Sequence, residues 1–203
     1  MRLYFSPGAC SLAPHIVLRE LGGHFDLDLV DLKAKKTAED KDYWTINPKG
    51  YVPALQLDDE QILTEVPAIM QYLADRAPEK GLVPPPGTLA RYRLVEIINF
   101  VSAEIHKTFT PLFSEAMPQE GRQIFIDRLS KRLNFIAAQL ESSPFILGDH
   151  FSIADAYLFT VLSWSRYVKF DLEPWPSVVA YLERIAQRQS VHDAMAAEGL
   201  IKE

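Results

Sequence analysis

A single cysteine, Cys10, stands between Ser6-Pro7-Gly8-Ala9 and an apolar run that begins at Leu12. That is the place of a turn joining a short strand to a helix. Unpaired amides and the helix dipole at such a start favour a thiolate, the form of cysteine that attacks disulfides and electrophiles. The alternative is a small buried hydrophobe, the common fate of a free cysteine. Ser11 beside it offers a hydroxyl either to a sulfur ligand or to the helix as a cap. With no second cysteine, an internal disulfide and a thiolate metal cage are excluded. Any disulfide chemistry at Cys10 must take its second sulfur from a ligand or partner.

Three other groups carry chemistry. In Gly50-Tyr51-Val52-Pro53-Ala54 a proline precedes a strand, and X-Pro bonds permit the cis form at modest cost. A cis bond would present the Val52 backbone to a ligand; a trans one makes an ordinary start to an edge strand. Thr64-Glu65-Val66 opens a helix, where a carboxylate beside unpaired amides can hold an amine while the amides hold a carboxylate. Glu65 is otherwise only a favourable first-turn charge. Farther on, Asn99, Ala103, His106 and Thr110 fall opposite the apolar stripe Leu94, Ile98, Val101, Ile105 and Leu112. His106 is therefore set off the core, as a surface histidine or as a site residue, and Phe109 and Phe113 are expected to line a cleft edge. His15, His24, His150 and His192 lack ligand spacing, so no metal is expected. The chain has no Gly-x-Gly-x-x-Gly, no phosphate loop and no Gly-x-Ser-x-Gly elbow, which weighs against nucleotide enzymes and serine hydrolases.

The elements that must position these residues fall into two parts. The 203 residues, 48% of them apolar, suffice for one or two cored domains. Pro84-Pro85-Pro86-Gly87 is the clearest break, because consecutive prolines stop a helix, and 84–87 is read as a linker. Before it, 1–83 reads strand (Arg2-Phe5), helix (Ser11 to Leu21, stopped by Gly22-Gly23), strand (Phe25-Val30, with Phe25, Leu27 and Leu29 alternating). Two strands about an acidic turn and a helix after Glu65 follow, giving βαβ and then ββα. After it, 84–203 has the 3.6-residue period almost throughout, with Phe125, Leu129, Leu133, Ile136 and Leu140 on one helix and a capping box at Ser152-Ile153-Ala154-Asp155. The fold class is thus α/β plus all-α. With 21 basic against 27 acidic side chains the net charge is -6, and neither half is basic, which argues against a nucleic-acid partner. No apolar run is long enough to span a membrane, and Leu3-Tyr4-Phe5 is too short for a signal-peptide core, so a cytoplasmic protein is expected.

In their order along the chain, five segments together resemble the cytosolic glutathione S-transferases, specifically the bacterial beta class. They are Ser6 to Leu12, Asn47 to Pro53, Leu63-Thr64-Glu65, Ser102 to Lys107 and Gly148 to Asp155. The resemblance spans essentially the whole chain and implies a thioredoxin-like N-terminal domain with an all-helical C-terminal domain. It implies glutathione as co-substrate, a homodimer, and a transferase that conjugates glutathione to small hydrophobic electrophiles. Val52, before a cis Pro53 and next to Tyr51, would pair with the cysteinyl unit, while Glu65 and the Val66 amide would hold the γ-glutamyl end. Lys35 would reach the glycine carboxylate. Asn99, Ala103, Glu104, His106 and Lys107 would contribute from the second domain, some of them across a dimer interface. Cys10, next to Ser11, would stand near the glutathione sulfur, and His106 would assist as proton donor or acceptor. Phe109, Phe113, Trp164 and Tyr167 are the candidate electrophile pocket.

The chain departs from the pattern at Val66, where many transferases carry Ser and others of this class Gly, so a hydroxyl contact is lost while the amide remains. Two rival readings keep the fold. One makes Cys10 the nucleophile of a glutathione-dependent thiol oxidoreductase, with peroxidase or dehalogenase activity belonging to the same chemistry. The other is a non-catalytic module that binds ligands or partners.

Overall fold

The computed structural model describes residues 1–202. By internal contacts they form two compact units, Met1–Gly81 together with the segment from Arg188 onward, and Leu82–Gln187. The stretch 84–203 expected as one helical unit is thus divided, its last helix belonging with the first unit. Helical periodicity shows which face of a helix is apolar, but not which neighbour covers it.

The first unit runs β1 (Arg2–Phe5), α1 (Leu12–Leu21), β2 (Asp26–Asp31), β3 (Lys36–Thr37), β4 (Ala54–Gln56), β5 (Ile62–Thr64) and α2 (Val66–Asp75). The sheet order is β3-β2-β1-β4-β5, with β1 and β2 parallel and the other neighbours antiparallel. This is the expected βαβ-ββα, thioredoxin-like order. Leu3, Phe5 and Leu55 are buried on one face, as are Leu12 and Ile16 of α1 and Ile69 and Leu73 of α2. The opposite face carries a second cluster of Tyr4, Val30, Tyr43, Val52 and Ala54. That cluster corrects the reading of β2: alternation of Phe25, Leu27 and Leu29 predicted their side as the inner one, yet Leu29 is 44% exposed while Val30 is buried. A strand whose two faces are both partly covered does not show its burial in a simple alternation.

The second unit begins with α3 (Leu89–Phe100), capped by the Thr88 hydroxyl, which accepts from the Arg91 amide. It continues through a π-helical stretch (Val101–His106), α4 (Lys107–Phe109) and a 3₁₀ turn (Thr110–Phe113). Then come α5 (Gln119–Ser142), α6 (Ile153–Leu162), α7 (Ser165–Val168), α8 (Pro176–Ala186) and, in the first unit, α9 (Gln189–Ala197), which packs on α1. Every residue of α6 is buried, and its capping box is formed. Asp155 accepts from the amides of Ile146 and Ser152, both at 2.9 Å, and from the Tyr181 hydroxyl at 3.1 Å. Burial pushes the Asp155 carboxyl above the usual carboxylate range, against those hydrogen bonds.

Candidate active site

Cys10 lies in the turn between β1 and α1, half-buried, with its Sγ 3.3 Å from the Val52 carbonyl oxygen, to which it donates. Ser11 is not the helix cap that its position suggests. Its hydroxyl accepts from the Ser6 amide and donates to the Ser6 carbonyl, each at 3.2 Å, and makes no cap bond to α1. The serine is fully buried and turned back on its own loop. The loop is also held from beneath: the Gly8 amide donates to Glu198 Oε2 at 2.9 Å, and Glu198 Oε1 is 2.9 Å from Nδ1 of His15. Arg19 Nε donates to the other His15 nitrogen at 3.3 Å, which leaves Nδ1–H to donate to Glu198. The side chains of His15 and Glu198 are completely buried.

The Val52–Pro53 peptide is cis. The loop before it is fixed by two donors to the Tyr51 carbonyl, Asn47 Nδ2 at 2.6 Å and the Tyr43 hydroxyl at 3.1 Å. Glu65 stands at the start of α2 with φ 72°, left-handed backbone that a side chain seldom adopts, and costs of about 1–3 kcal/mol attach to such positions. Its carboxylate receives Lys49 Nζ at 2.6 Å and the Tyr51 hydroxyl at 2.8 Å. The Glu65 hydrogen bond raises both the Lys49 ammonium and the Tyr51 phenol above their ordinary values. Val66, the first residue of α2, is buried, and Pro67 next to it has no N–H to offer. Lys35 Nζ donates to the Gly50 carbonyl at 2.6 Å and lies 5.6 Å over the Trp44 ring. The unit thus gathers Cys10, Val52, Pro53 and Ser11 in one place, and Tyr51, Glu65 and Val66 along the neighbouring loop and helix start.

In the second unit Asn99, Ala103 and Lys107 are exposed, and Glu104 is engaged by Arg132 through Nε at 2.8 Å and Nη2 at 2.6 Å. His106 closes the π-helical stretch, with Nδ1 2.7 Å from the Tyr157 hydroxyl and its ring edge-to-face with Trp164 at 4.8 Å. Of the four expected pocket aromatics, Phe113 and Tyr167 are 48% and 50% exposed, but Phe109 is fully buried and Trp164 5% exposed. The ring of Phe109 meets Trp164 and Phe170, which makes it core rather than cleft edge. Among the described residues no three His, Cys, Asp or Glu side chains come together as a metal site, and no helix is long and apolar enough to cross a membrane.

Residues 8–76 match the family described as Glutathione S-transferase, N-terminal domain, and residues 90–184 the one described as Glutathione S-transferase, C-terminal domain. The chain belongs to the glutathione S-transferase family. Glutathione S-transferase GstA of Escherichia coli O157:H7 is 48% identical over 200 residues, 98% of this chain and all of that one. A sphingomonad glutathione S-transferase complexed with glutathione superposes with TM-score 0.95 at 45% identity, over 99% of this chain and all of that one. The bacterial beta class glutathione S-transferase of Sphingomonas chungbukensis matches to the same extent. This transferase also uses residues that its sequence did not single out. Lys49 meets Glu65 without any motif that marks it, Asn47 holds both the Tyr51 carbonyl and the Lys49 amide, and Tyr43 holds the same Tyr51 carbonyl. Glu198 gave no signal at all, being one acid at the end of an Ala-rich helix.

Proposed function

We propose that this transferase binds glutathione along the Val52 backbone edge and at Glu65, and adds its thiolate to small apolar electrophiles. The observation that carries the reading is the Cys10–Val52 contact beside a carboxylate already gathered by Lys49 and Tyr51. It supports a site for a peptide-like ligand with a sulfur at its middle residue and an amine at one end. The Val52 edge takes the cysteinyl backbone, Glu65 the γ-glutamyl ammonium, the Val66 amide its carboxylate, and Lys35 the glycine carboxylate. Asn99, Ala103, Glu104 and Lys107 serve the same ligand. The sulfur gives its proton to solvent, and hydrogen bonding and nearby amides favour the resulting anion. The thiolate electron pair then forms the new S–C bond while the leaving group departs with the pair from the bond that breaks. Cys10 supports this anion, His106 serves as proton donor or acceptor, and Phe113 and Tyr167 with Trp164 and Phe109 behind them face the electrophile.

Conjugation of glutathione to an activated aryl halide tests the reading. The wild-type protein is expected to turn over, and Glu65→Ala to raise KM for glutathione at least tenfold. No turnover and no binding of glutathione by the wild type would overturn it. A second reading rests on Cys10 being the sole thiol: its thiolate attacks oxidised glutathione, forming a protein–glutathione disulfide and releasing one glutathione thiolate. Intact mass after treatment with oxidised glutathione, with Cys10→Ala as control, decides it. We further read the protein as a cytoplasmic homodimer, which the exposed Leu89 and Tyr92 on α3 support and light scattering checks.

A further inference from the structure

We propose that Tyr157 is the positioning residue that holds His106 in the tautomer with its proton on Nε2; this rests on the role given to His106 above and decides between donor and acceptor. His106 ends a six-residue π-helical stretch, a wide turn that re-aims the side chains it carries and recurs at functional sites. Its ring is bounded by two aromatic rings. Tyr157 meets it edge-to-face at 5.9 Å and 87°, and Trp164 at 4.8 Å and 74°. Both are themselves fixed, Tyr157 at 1% exposure on α6 and Trp164 at 5%. Nδ1 and the Tyr157 hydroxyl are 2.7 Å apart and share one proton.

A phenol is a far stronger acid than a neutral imidazole N–H, so the better hydrogen bond has the Tyr157 O–H donating and Nδ1 accepting. Neutral His106 then carries its proton on Nε2, because only one ring nitrogen can be protonated in that state. An Nε2–H donates; it cannot take a proton. This assigns His106 to stabilising an anionic sulfur by donating a hydrogen bond, and excludes it as the base that removes the thiol proton through Nε2.

The ¹⁵N and ¹H spectrum of the histidine rings, recorded on the whole protein near pH 7 without substrate, tests the assignment. His106, identified by its loss in His106→Gln, is expected to show Nε2–H and an accepting Nδ1. In Tyr157→Phe the tautomers are expected to mix, and kcat for conjugation to an activated aryl halide to fall about tenfold with KM for glutathione nearly unchanged. A proton on Nδ1 in the wild type, or an unchanged tautomer and kcat in Tyr157→Phe, would overturn it. The wild-type spectrum alone decides the tautomer even if the variant unfolds. A wild type that conjugates nothing yet shows Nε2–H sinks the transferase mechanism and leaves the assignment standing.

Discussion

Glu198→Ala removes the carboxylate to which two groups donate, the half-buried Gly8 amide and Nδ1–H of the buried His15, each 2.9 Å from a carboxylate oxygen in the native protein. A donor that loses its acceptor away from water costs about 1–3 kcal/mol, so the two together cost about 3–5 kcal/mol. The side chain is completely buried, so water does not reach in to offset the loss without disturbing α1 and the Cys10 loop. For a chain of this size about 2–4 °C of melting temperature accompany each kcal/mol, which gives a fall of roughly 10 °C. Glu198→Gln keeps the shape and one acceptor oxygen, but turns an NH₂ toward the other donor; about half the loss is expected. Thermal unfolding followed by circular dichroism, paired with urea midpoints, measures both. Because Gly8 lies two residues before Cys10, the alanine variant should also react faster with a thiol reagent under native conditions. A melting temperature within about 2 °C of wild type for Glu198→Ala would refute the reasoning, since it would mean that neither donor depends on the carboxylate.

Three further expectations follow from named contacts. Gly50 has φ 68°, and a Cβ there would lie 2.4 Å from the Trp44 ring, on which Lys35 also rests. Gly50→Ala should therefore shift tryptophan fluorescence and raise KM for glutathione several-fold, and an unchanged spectrum and KM would count against the packing of that loop. Asp155→Ala leaves the Ile146 and Ser152 amides without their acceptor, while the Tyr181 hydroxyl keeps the Asp155 carbonyl at 3.2 Å, an expected loss of about 3–5 kcal/mol in urea unfolding; a loss below about 1 kcal/mol would contradict it. Burial pushes the Tyr43 phenol up to about 12 from its ordinary value of 10.0. The folded pKa exceeds the unfolded one, so the associated stability is complete below pH 10 and is lost as pH rises through about 12. Urea midpoints across that window should fall less steeply for Tyr43→Phe than for wild type, and equal slopes would refute the assignment.

The site was legible in the sequence wherever a residue's role is local. Cys10 at a strand-to-helix turn, Glu65 at a helix start and the Ser152–Asp155 box are each written within a few neighbouring residues, and the structure places them at those element ends. Roles set by distant contact were not legible. Ser11 looks like a cap or a ligand donor by position, but the loop that it closes is decided by the path of Ser6 through Ala9. Nothing near His15 shows that a carboxylate 183 positions away will meet it. The π-helical stretch was hidden for a related reason: the stripe Leu94, Ile98, Val101, Ile105 and Leu112 is buried as expected, and one widened turn leaves such a pattern almost unchanged.

The tie between Gly8, His15 and Glu198 joins residues made 190 and 183 positions apart. On the ribosome, β1 through α2 emerge before any of Leu82–Gln187, yet the segment that seals α1 arrives only after all of it. At about 5–20 residues per second that interval is of the order of ten seconds. During it the Cys10 loop has no Glu198 beneath it, so the thiol is on a half-finished scaffold for longer than many domains take to fold. Synthesis stopped before α9 would yield Cys10 without its anchor, and proteolysis of stalled nascent chains should find α1 open in those lengths that lack Glu198.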